Sequence, residues 1–211
     1  MSDVVTLSVP TTGKREQTKQ QNRRAILDAA RQVFGELGYE TATVRDIIRR
    51  TNLSVGAFYN YYRSKEEVYE ALSDDGARRF RPILQAQYEA ASDFPGYIRG
   101  AISAYFHFVV EEDAIWRNQP PMGDFRHPHV HTETPEMKAV FDQVRWSISD
   151  VLERGSGPKV DAEFLAAACI AIAREVGERM LERRPVDVPA AVEFAVQMIL
   201  GGLPALPSLK S

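Results

Sequence analysis

The chain has 211 residues, 44% of them hydrophobic and 26% charged, which suits a soluble globular protein of one or two domains that can bury a core without staples. The single cysteine, Cys169, excludes an intramolecular disulfide framework and a multi-cysteine zinc ribbon. The opening stretch MSDVVTLSVP lacks a signal peptide's basic start and apolar run. The longest unbroken apolar run, Phe164 to Ala173, is too short to span a membrane as a helix. A soluble, cytoplasmic protein with no membrane partner is the expectation. Within that run Cys169 reads as a packing residue rather than a redox switch. The net charge of -3 hides a segregation: Lys14 to Lys65 holds eleven Lys/Arg against five Asp/Glu, a surplus of +6, and the remainder carries -9. A basic block beside an acidic one suggests that the first part meets a polyanion, although clustering on solvated helix faces gives the same count.

Residues 1–13 carry no periodicity and read as a disordered arm. Ile26, Ala29, Ala30, Val33, Phe34 and Leu37 recur at helical spacing and predict a helix from about Gln17 to Leu37, stopped by Gly38. Thr43 with Asp46 has the spacing of a capping box that opens a short helix, with Val44, Ile47 and Ile48 inward. Ser54 opens a third helix to about Tyr62, and Leu53 and Phe58 are placed as a hydrophobic staple around its cap. Ser64 with Glu67 opens a fourth, a connecting helix over 64–81, because Pro82 should stop it. Ile83 to Ala91 then reads as a separate helix. Tyr97 to about Trp116 follows, with a stripe at Ile98, Ile102, Tyr105, Phe106, Val109 and Val110. Gln119 to Thr134 is proline-rich and reads as a long loop. Thr134 caps a helix that begins at Pro135 and runs to about Arg154. Asp161 opens another to about Arg184, and Asp187 opens the last, ending at Gly201 and Gly202. No alternating strand pattern and no internal repeat is present, so the fold is read as all-α.

Two short helices joined by Thr51-Asn52-Leu53 fit a helix-turn-helix. The second opens with the small side chains Val55, Gly56 and Ala57, which would let its N-terminal end approach base edges in the major groove. Phe58 and Tyr62, four apart, would anchor it. Tyr59, Asn60, Tyr61 and Lys65 could then reach flanking phosphates, and the helix N-termini at Thr43 and Ser54 would aim amide donors the same way. The plainer alternative is a helical subdomain whose aromatics only build a core.

The stretch TVRDIIRRTNLSVGAFYNYYRSKEEVYEAL, Thr43 to Leu72, with RRAILDAARQVFGELGYE before it, resembles the DNA-binding domain of TetR-type transcriptional regulators over roughly a quarter of the chain. That family's Phe-Tyr-x-x-Phe core appears as Phe58-Tyr59-Asn60-Tyr61-Tyr62, and its Ser-Lys-Glu as Ser64-Lys65-Glu66. Ile48 stands where the family usually has Ala, and Thr51-Asn52 where it has Ala-Gly. The resemblance implies an N-terminal three-helix DNA-binding domain at 14–63 and a larger helical ligand-binding and dimerisation domain at 64–211. It implies that Thr43, Tyr59, Asn60, Tyr61 and Lys65 hold phosphates. Arg45, Val55, Gly56 and Ala57 would face bases, behind the cap at Ser54. Those base-facing residues favour readout through thymine methyls, Arg45 and DNA shape. The implied function is a homodimeric repressor on a palindromic double-stranded DNA operator, released by a small effector. It would be no enzyme and would need no cofactor.

Two further features bear on the rest of the chain. Phe164 to Ala173 is apolar around most of its circumference and must be buried on more than one side. The last helix places Val192, Ala195, Val196, Ile199, Leu200 and Leu203 on one face. These last two helices are the expected homodimer interface, and a monomer whose own core uses both faces is the alternative. Candidate walls of an effector cavity are Tyr105, Phe106, Trp116, Phe125, Phe141 and Trp146, with His107 and Arg145 as polar anchors. An apolar or aromatic effector would suit them, and ordinary core packing is the competing reading of each. His127, His129 and His131 alternate along the proline-rich segment and could grip Zn or Ni with help from His107, Asp124 or Glu133, which would make a metal-responsive regulator. An effector-independent protein of chromosome organisation is a further alternative. No nucleophile–base pair, glycine-rich phosphate loop or paired-carboxylate motif points to an enzyme.

Overall fold

Helix caps lay out the chain in the computed structural model, which describes residues 13–116, 134–155 and 159–207. The helices are α1 (Lys14–Leu37), α2 (Val44–Arg49), α3 (Val55–Tyr59), α4 (Lys65–Ala90), α5 (Phe94–Trp116), α6 (Pro135–Arg154), α7 (Ala162–Glu182) and α8 (Val188–Gly202), with a 3₁₀ turn at Leu203–Ala205. There is no strand among the described residues. Thr43 and Asp46 form the reciprocal capping box. The side chains of Ser54, Ser64, Thr134, Asp161 and Asp187 each accept from the backbone N–H of their first helical turn, worth about 1 kcal/mol apiece. The arm at 1–12 and the proline-rich segment with Phe125, His127, His129 and His131 lie outside the described residues.

Two cores form. In the head, Ile26, Val33 and Phe34 of α1 pack with Ile47 and Ile48 of α2 and Phe58 of α3, together with Tyr62, Val68 and Leu72. In the body, Tyr97, Ile102 and Phe106 of α5 pack with Ile148 and Val151 of α6, Ala166 and Cys169 of α7, and Val196 and Ile199 of α8. The head core reaches Val68 and Leu72, so the first turns of α4 pack with the helices before them, beyond the expected edge at residue 63. Burial pushes the Cys169 thiol up to about 12, so it carries no thiolate at neutral pH and acts as a small apolar side chain.

The connecting helix expected over 64–81 does not stop there. α4 runs unbroken from Lys65 to Ala90 with Pro82 inside it. Packing on both sides of the proline decides this. Phe80 is buried, its ring 5.6 Å from Tyr105 and 5.2 Å from Phe108 of α5, and Leu84 is 1% exposed. Burying two such side chains contributes about 1.5–3 kcal/mol each, enough to offset the roughly 3 kcal/mol that an interior proline costs. α5 begins at Phe94 rather than Tyr97, because Asp93 Oδ1 accepts from Gly96 N at 2.7 Å. α3 is shorter than expected and ends at Tyr59.

Head and body are joined by charge. Arg31 of α1 donates to Asp75 of α4 at 2.5 Å. Arg79 of α4 donates to the same Asp75 at 3.1 Å and to Glu112 of α5 at 2.5 Å.

Candidate DNA-binding interface

The turn between α2 and α3 is tied by Thr51, whose Oγ1 donates to Ile48 O at 2.9 Å and accepts from Leu53 N at 3.2 Å. The hydroxyl thus bridges the end of α2 to the residue before the α3 cap. α3 is then fixed from behind: Phe58 is 0% and Tyr62 3% exposed, their rings 6.4 Å apart. With Phe58 buried, the opposite face turns outward. Val55 is 57% and Tyr59 52% exposed, Asn60 is exposed, and a Cβ added at Gly56 would meet nothing within 4 Å. Ser54 Oγ is occupied as the cap, accepting from Ala57 N at 3.2 Å. α3 thus presents small residues first, with aromatic weight behind.

On α2 the arginines divide by partner. Arg50 pairs with Glu36 of α1 and holds that carboxyl below the usual range. Arg45 is exposed and makes no ion pair among the described residues, while Arg49, which sequence reasoning passed over, is exposed and only loosely paired with Asp46 at 3.5 Å. Tyr61 accepts from Asn22 Nδ2 of α1 at 3.0 Å and keeps its own O–H proton to donate.

Two expected phosphate ligands are otherwise engaged. The Lys65 ammonium donates to Tyr39 O at 2.8 Å, Glu40 O at 3.1 Å and Ala42 O at 3.2 Å. It also lies 4.6 Å from the centre of the Tyr39 ring. An ammonium has three donors, so in the free protein Lys65 clamps the loop before α2, and a phosphate contact would have to replace one of these bonds. Thr43 Oγ1 donates to Asp46 Oδ2 at 2.5 Å, so its hydroxyl serves the capping box.

The expected effector residues scatter. Phe106 is fully buried in the body core; Tyr105 and Phe141 pack against it from half-buried positions. His107 is exposed, with Nδ1 2.8 Å from Ser103 O, and Arg145 is exposed. Trp146 is 52% exposed and leans on Tyr88 at 4.9 Å. His107, Arg145 and Trp146 therefore do not line an apolar cavity. Each follows or precedes an inward residue by one or two positions, which turns it about 100–200° around the helix. The Trp116 and Phe125 side chains, and the three loop histidines, lie outside the described residues. No group of metal-ligating side chains is present among the described residues. A charged groove of about 760 Å³ between head and body, lined by Arg23 and Arg31 of α1, Asp75 and Arg79 of α4 and Glu112 of α5, was not foreseen, because its walls come from three separate helices.

The family profile described as bacterial regulatory proteins, tetR family, matches residues 26–72, the span of the head core just described. Residues 26–72 therefore form a TetR-type DNA-binding domain. With that domain the chain is a DNA-binding transcriptional regulator. It is 26% identical to the HTH-type transcriptional activator FasR of Mycolicibacterium smegmatis over 92% of this chain and 88% of that protein. It is 42% identical to the A-factor receptor protein of Streptomyces griseus, over 26% of this chain and only 20% of that protein. Its fold matches the FadR of Bacillus subtilis, solved in complex with stearoyl-CoA, with a TM-score of 0.68 at 16% identity, covering 85% of this chain and 98% of that one.

Proposed function

We propose that this chain, with its TetR-type domain, is a cytoplasmic, ligand-responsive repressor that reads a palindromic operator as a homodimer, with a head at about 14–63 whose core runs on into α4 as far as Leu72, and the body beyond it. The observation that carries the reading is the outward presentation of α3, with Phe58 and Tyr62 buried behind an open Gly56. Arg45, Val55, Gly56 and Ala57 face bases; Tyr59, Asn60 and Tyr61 hold phosphates. The apolar side chains left bare on the last two helices support the dimer: Phe164 of α7 is 75% exposed, and Phe194 and Met198 of α8 are 60% and 59% exposed. The segment Val188–Ala205 has mean hydropathy 1.4 and is 28% buried, so by length and composition it could cross a membrane. Its tie to α5 through Arg99 and Glu193 at 2.8 Å and its half-covered apolar face fit burial against a second copy better. A dimer also places two recognition helices for successive turns of one duplex.

The effector is a molecule with a long apolar chain. The shared fold with a FadR that was solved with stearoyl-CoA and the apolar helical body support this class. An effector that binds one head spacing better than the other shifts the population off the operator.

Gly56→Leu tests the head. The site is open in the free protein, so the variant folds, but the added side chain meets the groove floor. Electrophoretic mobility shift with a duplex at low salt is expected to lose the complex, while sedimentation shows an unchanged dimer; wild-type duplex affinity would refute the docking. Stearoyl-CoA titrated into the protein–duplex complex is expected to release the DNA, and an unmoved complex would remove this effector class.

A further inference from the structure

We propose that the first three turns of α1 are a second, sequence-independent DNA contact, a cationic overhang that grips phosphates flanking the groove entered by α3. The inference rests on the DNA-binding reading above and extends the footprint to residues outside the matched family segment, which starts at Ile26.

α1 begins packing only at Ile26; from Lys14 to Ala25 every residue is exposed except the half-buried Asn22. An exposed helical end with no apolar face gains nothing from its own core. Its composition is one-sided: Lys14, Arg15, Lys19, Arg23 and Arg24 against Glu16. None of these five cations makes an ion pair among the described residues, in contrast to Arg31 further along the same helix. At 100° per residue, Arg15, Lys19, Asn22, Arg23 and Ile26 fall within about 100° of arc. The face that α1 turns toward the core at Ile26 therefore continues, past the edge of the domain, as a stripe of positive charge.

Contacts fix where that stripe points. Asn22 donates to the Tyr61 hydroxyl, and the Arg23 guanidinium lies 5.9 Å from the centre of the Tyr62 ring. Both aromatics sit just past the C-terminal end of α3. From Asn22 back to Arg15 the helix extends about 10 Å at 1.5 Å per residue. That is the reach of one to two phosphates along a strand, on the side where the duplex backbone leaves the groove. Exposed cations held on a rigid rod beside the reading helix would add affinity without sequence information.

The test is the salt dependence of binding to a 30-base-pair duplex of arbitrary sequence, read by fluorescence anisotropy over a KCl series. Arg15→Gln/Lys19→Gln keeps good helix formers and leaves Arg23 on Tyr62. The slope of log K against log salt is expected to become shallower by about 2 per bound head, at about 0.9 per phosphate. Arg15→Lys/Lys19→Arg is expected to restore it. Lys138→Gln/Lys159→Gln, on the body, is expected to leave it unchanged. An unchanged slope in Arg15→Gln/Lys19→Gln, with wild-type protein binding the duplex, overturns the overhang and spares the head; the same loss from the body variant also overturns it. A wild-type chain that ignores the duplex at low salt overturns the DNA-binding reading itself.

Discussion

Head and body are both helical, yet they hold their functional information in different ways. In the head, the short helices α2 and α3 are pinned by caps, a tied turn and two buried aromatics, so the reading surface is whatever the anchors leave outside. In the body, long helices share one apolar core, and their outer faces carry unrelated chemistry side by side, such as the buried Ile148 beside the exposed Trp146. The head's function is therefore set by local geometry. The body's function depends on which of several apolar surfaces is left for a partner or an effector.

The strongest way to break this contrast is to remove an anchor. Phe58→Ala takes a fully buried ring out of a small core and should cost about 3–5 kcal/mol. Because the two cores are separate, hydrogen exchange is expected to lose protection over α1–α3 while α5–α8 keep theirs. Equal loss in both would mean that head and body fold as one unit.

A smaller effect sharpens the picture of the head. Lys65→Ala removes three charge-assisted hydrogen bonds to loop carbonyls and is expected to cost roughly 2 kcal/mol, since bonds to charged groups contribute about 1.5–3 kcal/mol and this one is partly solvated. Denaturant melts measure that loss. The salt slope of duplex binding should stay put; a fall of about one unit would return Lys65 to the phosphate backbone.

These two residues mark what a sequence can carry. Caps, staple and aromatic spacing are local, and Thr43, Ser54, Phe58 and Tyr62 all take the positions their spacing implies. Lys65 could not be placed, because its partners converge only after the chain turns at Gly38, whose φ of 76° suits a residue without a Cβ. Pro82 was misread for the same kind of reason: its hydrogen-bond penalty is local, and the packing of Phe80 and Leu84 that outweighs it is not. His107 and Arg145 neighbour core residues in sequence, and the helical pitch alone turns them away from the core. The overhang of α1 was half legible, as a charge surplus without an address.

The smallest effect probes the join between the two regions. Arg79 reaches from α4 to Glu112 on α5 and shares Asp75 with Arg31 of α1, so one carboxylate is held by the head and by the hinge helix together. Arg79 is 41% and Glu112 17% exposed at the side chain, so water screens the pair and its contribution to stability should be modest. A double-mutant cycle with Arg79→Gln and Glu112→Gln is expected to return a coupling of about 0.2–1 kcal/mol, the range of exposed pairs, and to lose most of it in 1 M KCl, where the screening length falls to about 3 Å. If stearoyl-CoA releases the wild-type protein from duplex, as proposed above, and the pair relays that influence, the double variant should bind duplex as the wild type does and be released less well. A variant that is released normally would show that the body moves the head through the packed length of α4, with Phe80 and Leu84 as its grip, and that the ion pairs only trim the angle.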